Sequence, residues 1–398
     1  MPTTRAGTVL AAALVLYFFA NQTQVGWLYV MSALLAGVVL AAFWLGRGGL
    51  RRIEGERSIG GRADAQLYEG DELTITFILS NNGRAGAAQM RLRERCPLAA
   101  PDAPQHEMKL YVPSLPSKAH VQFEYNVVAD RRGLHQFPPL PLESSAPFGF
   151  FRRARTLDVP TRALVYPEVR PLHHLDFLDR QYAPQIARPT AGFGYEVMGL
   201  RPYRPGDSPR HVHWRSVART GQMVTKEFAD ETQPGLALAL DLGKHPYPQA
   251  SSKHTAFEWG VKAAASISDY AAHKGYPLSL ITNSGGLPAP NGTVTQHMVL
   301  EYLARVQPDG DAPLAALLAN GQPGAFLAVI LPWPDERLVR TLVDLHQRNL
   351  HVLAVVIDAA TFPEGGPSAK DAAGELRAAG VDVRLLHFSD DWAGQIQG

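Results

Sequence analysis

Residues 25–45 read VGWLYVMSALLAGVVLAAFWL, 21 residues without a charge. A run of this length crosses roughly 30 Å of hydrocarbon as an α-helix. It holds ten Leu, Val or Phe residues, and at about −0.3 to −0.6 kcal/mol each these favour insertion by roughly 3–6 kcal/mol. The uncharged stretch extends outward from Ala6 to Gly46. It includes a shorter apolar run, Val9–Ala20, set off by the polar residues Asn21–Gln24. That shorter run spans a bilayer only with help from Ala6–Thr8 and from thinning or snorkelling at its ends. The rival reading is a cleaved signal peptide. It needs a small residue where Phe18 stands, and a long apolar run follows at once, so a pair of helices is preferred. Arg5 precedes the pair, and Arg47, Arg51 and Arg52 follow it. By the positive-inside rule both flanks face the cytoplasm. Residues 1–52 are expected to form a transmembrane α-hairpin, with the rest of the chain cytoplasmic.

The composition agrees. Charged residues make up 19% of the 398 residues, below the ~25% of soluble proteins, and the uncharged stretch accounts for the deficit. Cys96 is the only cysteine, which excludes an intrachain disulfide and a cysteine-based zinc or iron–sulfur site. A net charge of +1 excludes a globally basic nucleic-acid binder. The charge is unevenly spread: residues 1–232 carry 27 basic and 21 acidic groups, and residues 233–398 carry 11 and 16.

Residues 53–170 carry strand and turn signals. Leu73–Leu79 is followed by Asn81-Asn82-Gly83, a strong turn sequence, and Met90–Arg93 and Val121–Val127 alternate apolar with polar residues. With Pro-rich connections and no helical period, this predicts a β-sandwich without chemistry of its own. Residues 171–191 are expected to be an irregular connector, with His173 and His174 solvated rather than metal-binding. The connector and the segment that follows it are grouped as 171–232.

Residues 192–228 hold six basic and two acidic residues between Gly192 and Lys226. Pro205-Gly206 predicts a turn, Asp207 an N-cap, and Ser208–Arg219 a short helix that ends at Gly221. His211, Arg215 and Arg219 share one helical face, while Val212, Trp214, Val217 and Ala218 supply the buried side, with Trp214 as the anchor to a core. The arginines suit an acidic partner, an anion beside a helix N-terminus, or carboxylates within the same chain.

These residues resemble the signature of the bacterial domain-of-unknown-function-58 family. Glu196, Arg201, Tyr203, Pro205, Gly206, Asp207, Arg210, His213, Trp214, Ala218, Arg219, Lys226 and Phe228 occupy its places. Arg131-Arg132-Gly133 and Pro147-Phe148-Gly149 are similar to two upstream motifs, although Ala146 stands where the family has Asp. The resemblance implies a bacterial inner-membrane protein that works beside a MoxR-type AAA+ ATPase in assembly, maturation or envelope-related processes.

From residue 233 the pattern alternates strands with helices. Strand-like runs are Leu236–Leu242, Leu278–Thr282, Ala325–Leu331, Leu350–Ile357 and Val381–His387. Helix-like runs are Thr255–Lys274, Met298–Val306, Leu314–Ala319, Asp335–Asn349 and Ala372–Ala379. This predicts an α/β doubly wound sheet with ligands at the carboxyl ends of its strands. The resemblance implies similarity to von Willebrand factor A domains, which hold a divalent metal with Asp-x-Ser-x-Ser, a distant Thr and a distant Asp. Here the motif reads Asp241-Leu242-Gly243-Lys244-His245. Both serines are missing and Lys244 adds a positive charge, so Asp241 is a degenerate position and no metal is expected.

Phosphate-loop, zinc-protease and nucleophile-elbow motifs are absent from the sequence. No cofactor, nucleic acid or small-molecule substrate is therefore expected. The leading expectation is a multidomain, membrane-anchored, non-enzymatic scaffold or adaptor. Its binding residues would be Arg201, Tyr203, Asp207, Arg210, His213, Trp214, Arg215 and Arg219. The alternatives are an enzyme whose site joins Asp207, His213 or Asp241 at the segment–domain junction, and an anion-sensing module built on the Arg-rich helix.

Overall fold

The computed structural model describes residues 2–60, 66–179, 197–203, 212–228, 235–245, 253–287, 294–321 and 326–397. The chain divides into two compact units, Met1–Glu168 and Val169–Gly398.

The first unit opens with two apolar helices, α1 (Thr4–Thr23) and α2 (Gly26–Leu45). Both are long and apolar enough to cross a membrane. Their seam is made of small side chains. Ala6, Ala13 and Ala20 repeat every seven residues and are buried against the face that carries Ser32, Val39 and Ala42. Ser32 Oγ donates to the Ala13 carbonyl across the seam at 2.7 Å. Small residues let two backbones approach, and a hydroxyl with a partner is tolerated where water is absent. The outward faces carry exposed Leu14, Phe18, Leu34 and Leu40. One boundary differs from the sequence reading: Asn21–Thr23 stay helical and the reversal falls on Gln24 (φ 56°) and Val25. Thr23 Oγ1 donates to the Phe19 carbonyl, so a polar residue completes the last turn and lengthens the short apolar run.

The sheet-rich region contains β1 (Ile53–Gly60), β2 (Leu67–Tyr68), β3 (Glu72–Asn81), β4 (Ala87–Arg95) and β5 (Glu107–Leu115). It continues with β6 (His120–Val128), β7 (Gly133–Gln136), β8 (Leu140–Ser144), β9 (Arg153–Leu157) and β10 (Arg162–Tyr166). The sheets run β1-β3-β6, β2-β10-β7 and β5-β4-β8-β9. One core joins Phe77 and Leu79 of β3 to Met90, Leu92, Val112, Leu140 and Leu142 of the four-stranded sheet. A second joins Leu73 and Ile75 of the same strand to Cys96, Leu98, Phe137 and Val165. The period-2 alternation of β3 thus serves both cores from one face.

Two buried polar groups organise this region. Arg57 and Glu94 form a bidentate pair (Nε–Oε1 and Nη2–Oε2, both 3.0 Å) with fully buried side chains. Tyr125 donates its hydroxyl to the same carboxylate at 3.2 Å, and the Phe137 ring lies 4.6 Å from the guanidinium carbon. Asn81, also buried, satisfies the turn: its Oδ1 accepts from Gly83 N, and its Nδ2 is shared by the carbonyls of Ala85, Leu115 and Pro116. This is the physical content of the Asn81-Asn82-Gly83 signal.

The second unit contains α3 (Asp176–Asp179), β11 (Val197–Pro202), α4 (Trp214–Thr220) and β12 (Val224–Phe228). Its α/β part runs β13 (Leu236–Leu240), α5 (Ala256–His273), β14 (Leu278–Thr282), β15 (Gly285–Leu287), α6 (Gln296–Arg305), α7 (Leu314–Asn320) and β16 (Phe326–Leu331). It closes with α8 (Glu336–Gln347), β17 (His351–Ile357), α9 (Lys370–Ala378), β18 (Asp382–Leu386) and α10 (Trp392–Gln397). The sheet order is β15-β14-β13-β16-β17-β18. All neighbours are parallel except the β14–β15 hairpin. The central strands are apolar throughout because both faces are covered. Ala237, Ala239, Leu327, Val329, Val352 and Ala354 meet Leu314, Leu318, Leu338, Leu342, Ala373 and Leu376 of α7, α8 and α9. On the other face α5 approaches Leu240 and Ile330 closely: a Cβ on Gly260 would fall 2.8 Å from Pro332 Cγ.

Two elements were not foreseen. β15 hangs on a glycine turn in which Gly285 (φ 118°) and Gly286 (φ 155°) adopt conformations side chains rarely reach, and a Cβ on Gly286 would meet the Leu280 carbonyl oxygen at 2.2 Å. α10 is a short terminal helix that buries Trp392 and Ile396.

Cys96 has no exposed surface, and burial is the main cause that pushes its thiol above the usual range. Maleimide at pH 8 is therefore expected to leave the folded protein unmodified and to label one thiol once urea unfolds the sheet-rich region. Stoichiometric labelling of folded protein by mass spectrometry would contradict the burial.

Candidate functional site

The basic segment forms a small unit around a two-stranded antiparallel sheet. β11 pairs with β12, placing Arg201 opposite Thr225 and Leu200 opposite Lys226. The pairing continues beyond the strands: Tyr203 N donates to Met223 O and His213 N to Val224 O, both at 2.9 Å. Val212 bridges Thr225, and these two residues are buried. His213 then takes the N-cap position of α4, with its Nδ1 2.8 Å from Ser216 Oγ. Gly221 ends the helix in the left-handed region (φ 71°), its N–H reaching the Val217 carbonyl.

The structure changes the reading of this helix in two ways. It begins at Trp214 rather than Ser208, and the residue that holds it to the sheet is Val212, not Trp214. No residue of α4 is buried, and Trp214 is 61% exposed. The i, i+4 pair Arg215 and Arg219 is exposed on one face, and among the described residues neither guanidinium meets a carboxylate. Met223 adds exposed apolar surface. Asp207, Arg210 and His211 lie outside the described residues, as does the side chain of Arg201. The segment therefore presents an aromatic ring and two cations to solvent.

The other concentration of polar groups sits at the carboxyl ends of β13, β14 and β16, where strand order reverses and ligands of such sheets commonly bind. Asp241 follows β13 and is 3% exposed. Its Oδ1 accepts from Gly243 N (3.0 Å) and Asn283 Nδ2 (2.8 Å), and its Oδ2 lies 3.0 Å from His245 Nε2. Asn283 also accepts from Leu242 N (2.8 Å) and donates to Ala312 O (3.0 Å). The His245 ring lies flat on Trp333, with centroids 5.5 Å apart and planes within 5°. Lys244 pairs with Asp311, which raises its ammonium above the usual range.

The residues present do not fit the divalent metal that the sequence resemblance implies. Both oxygens of Asp241 are engaged, and the two serine places are Gly243 and His245. A Cβ on Gly243 would fall 2.8 Å from His245 Nε2, so the imidazole fills space a metal needs for several oxygen ligands. Among the described residues no group of three or more His, Cys, Asp or Glu side chains could hold a metal. What the cluster does is tie three loops together. Sequence reading marked Asp241 but missed Asn283 and Trp333. The available signal was that each directly follows, or nearly follows, a buried strand whose end must converge on the others.

Residues 199–320 match the family model described as "Protein of unknown function DUF58". The match begins within β11 and runs through α7. No curated protein matches the chain. Among solved structures, a CARDB domain from Pyrococcus furiosus is 9% identical over 29% of this chain and 94% of that chain, with a TM-score of 0.20. Red sea bream transglutaminase is 12% identical over 29% of this chain and 15% of its own, with a TM-score of 0.21. A GH20 exo-β-N-acetylglucosaminidase from Vibrio harveyi is 9% identical over 77% and 57%, with a TM-score of 0.23. Likenesses this weak carry no argument about fold or function.

Replacing Asp241 by Ala strands the Asn283 amide and the Gly243 N–H. The variant is expected to lose about 1–3 kcal/mol of stability in urea unfolding. Added Mg²⁺ should shift the melting temperature of neither wild type nor variant. A Mg²⁺-dependent rise confined to the wild type would show that the carboxylate does hold a metal.

Proposed function

We propose that this chain is a membrane-anchored docking protein whose basic segment receives an acidic surface of a partner protein. The observation that carries the reading is α4: a helix with no buried residue, an exposed Trp214, and Arg215 and Arg219 without carboxylate partners among the described residues. Trp and Arg are the side chains that most often dominate protein interfaces. Two cations on one helical face would also select an acidic counterpart and speed encounter with it.

The rest of the architecture supports the same reading. The two apolar helices suit an anchor in the bacterial inner membrane, and the arginines at their outer ends place the soluble parts in the cytoplasm. The six-stranded sheet, with its antiparallel edge and a third-second-first-fourth-fifth-sixth strand order, agrees with a von Willebrand factor A-like domain. The resemblance of the signature to its family points to a MoxR-type AAA+ ATPase as the partner. On this proposal that partner supplies the nucleotide chemistry.

A second reading draws on the Asp241–His245 pair, since a carboxylate beside an imidazole is a common acid–base device. The docking reading treats the same pair as a loop tie, because Asn283 and Gly243 share the carboxylate.

The test is capture of the full-length protein in detergent, followed by mass spectrometry and affinity measurement. Wild type is expected to retain an ATPase. Trp214→Ala should weaken that complex by about 2 kcal/mol, roughly thirtyfold, and the Arg215→Glu/Arg219→Glu pair should abolish it while His245→Ala leaves it intact. Unchanged binding in the charge-reversed protein would refute the assignment of α4.

A further inference from the structure

The Pro147-Phe148-Gly149 motif is left unused by the docking reading, yet its loop is fastened to both outer ends of the helical hairpin. Thr3 caps α1. Its N–H donates to the Phe150 carbonyl at 2.8 Å, and its hydroxyl lies 2.8 and 3.0 Å from the carbonyls of Gly149 and Phe150. Pro2 bridges Phe151. At the other helix, the Phe151 ring lies 5.4 Å from that of Phe43, and Arg153 Nη2 donates to the Phe43 carbonyl at 2.8 Å. Gly149 turns the loop at φ 74°. The loop is thereby held level with the first turn of α1 and the last turn of α2.

Its chemistry matches that level. Phe148 is 53% exposed, with its ring 6.0 Å from Phe150, and exposed Trp44 stands in the last turn of α2. Aromatic rings are favoured at the boundary between hydrocarbon and headgroups. Two cations share the place. The Arg47 guanidinium carbon lies 4.6 Å from the Phe43 ring centre and 5.7 Å from that of Trp44. A Cβ on Gly46 would fall 3.0 Å from Arg153 Cζ. Burial and the Arg47 charge both push Arg153 below its usual range. Among the described residues neither arginine has a carboxylate partner, and an anion between them would relieve the crowding.

We propose that the Phe148–Phe151 loop is a third membrane-contacting element, which lays Phe148 in the headgroup layer of an anionic bilayer with Arg47 and Arg153 facing lipid phosphates. The proposal rests on the reading of α1 and α2 as spanning helices. It makes the sheet-rich region a body clamped to the bilayer rather than one swinging on a linker.

The test uses the full chain with Cys96→Ala, reconstituted in lipid nanodiscs and spin-labelled singly at Phe148→Cys, Leu34→Cys or Tyr111→Cys. Collision with oxygen and with a water-soluble nickel complex reads depth. Leu34, on the outward face of α2, should be deep, and Tyr111, on the outer face of β5, should be in water. Phe148 should lose nickel collisions relative to Tyr111. That loss should be greater in nanodiscs containing phosphatidylglycerol than in phosphatidylcholine alone, and Arg47→Gln/Arg153→Gln should erase the difference. A water-exposed Phe148 label beside a deep Leu34 label would overturn the loop and leave the anchor standing. A water-exposed Leu34 label would overturn the anchor and the loop together. Equal Phe148 depth in the two lipids would overturn the arginines' role.

Discussion

Peptide N–H and C=O groups withdrawn from water must find partners within the chain, and each one left unpaired costs free energy on the kcal/mol scale. In hydrocarbon no substitute exists, which is why the uncharged N-terminal stretch forms helices rather than any other structure. The same demand shapes its details. Asn21–Thr23 remain helical because Thr23 returns its hydroxyl to the Phe19 carbonyl, and Ser32 is accepted in the seam because the Ala13 carbonyl receives it. At the end of α2, Arg155 gathers the carbonyls of Leu50, Arg51 and Ile53 at 2.7–2.9 Å where the chain leaves the helix for β1.

Within the soluble parts the same demand is met by a few buried polar side chains rather than by water. Asn81 serves four backbone groups of one turn, and Asn283 serves two, together with the Asp241 carboxylate, at the strand ends. The Arg57–Glu94 pair has the most to lose. Two charges are fully buried, so removing either would leave the other uncompensated, at a cost of about 3–5 kcal/mol. These groups hold loops and sheets in place, and they leave the exposed cations of α4 as the side chains least occupied by the fold.

Much of the architecture was legible because it rests on local periodicity. The apolar strands β13, β14, β16, β17 and β18, and the helices α5 to α9, fall where alternation and composition place them, within a few residues. The antiparallel strands β3, β4 and β6 were visible for the same reason. β15 escaped because three residues are too few to show a period. Its signal was the Gly285-Gly286 pair, whose backbone angles an L side chain rarely adopts. The Trp214 expectation failed instructively. A tryptophan beside valines looks like a core residue, but α4 contacts only a two-stranded sheet and Val212 already fills the buried position.

By itself the sequence determined the properties that depend on neighbours in the chain: two hydrophobic helices, strands of period two, alternating strands and helices, and a basic segment with fixed Gly and Pro punctuation. The tertiary structure alone decided which polar groups would meet. That Asn283 would close on Asp241 42 positions away, that Glu94 would neutralise Arg57, and that the Phe148 loop would reach both ends of the hairpin are long-range events. They follow from strand order and sheet packing. Electrostatics and hydrogen bonds act over a few ångströms, so only the fold that sets those distances can assign them.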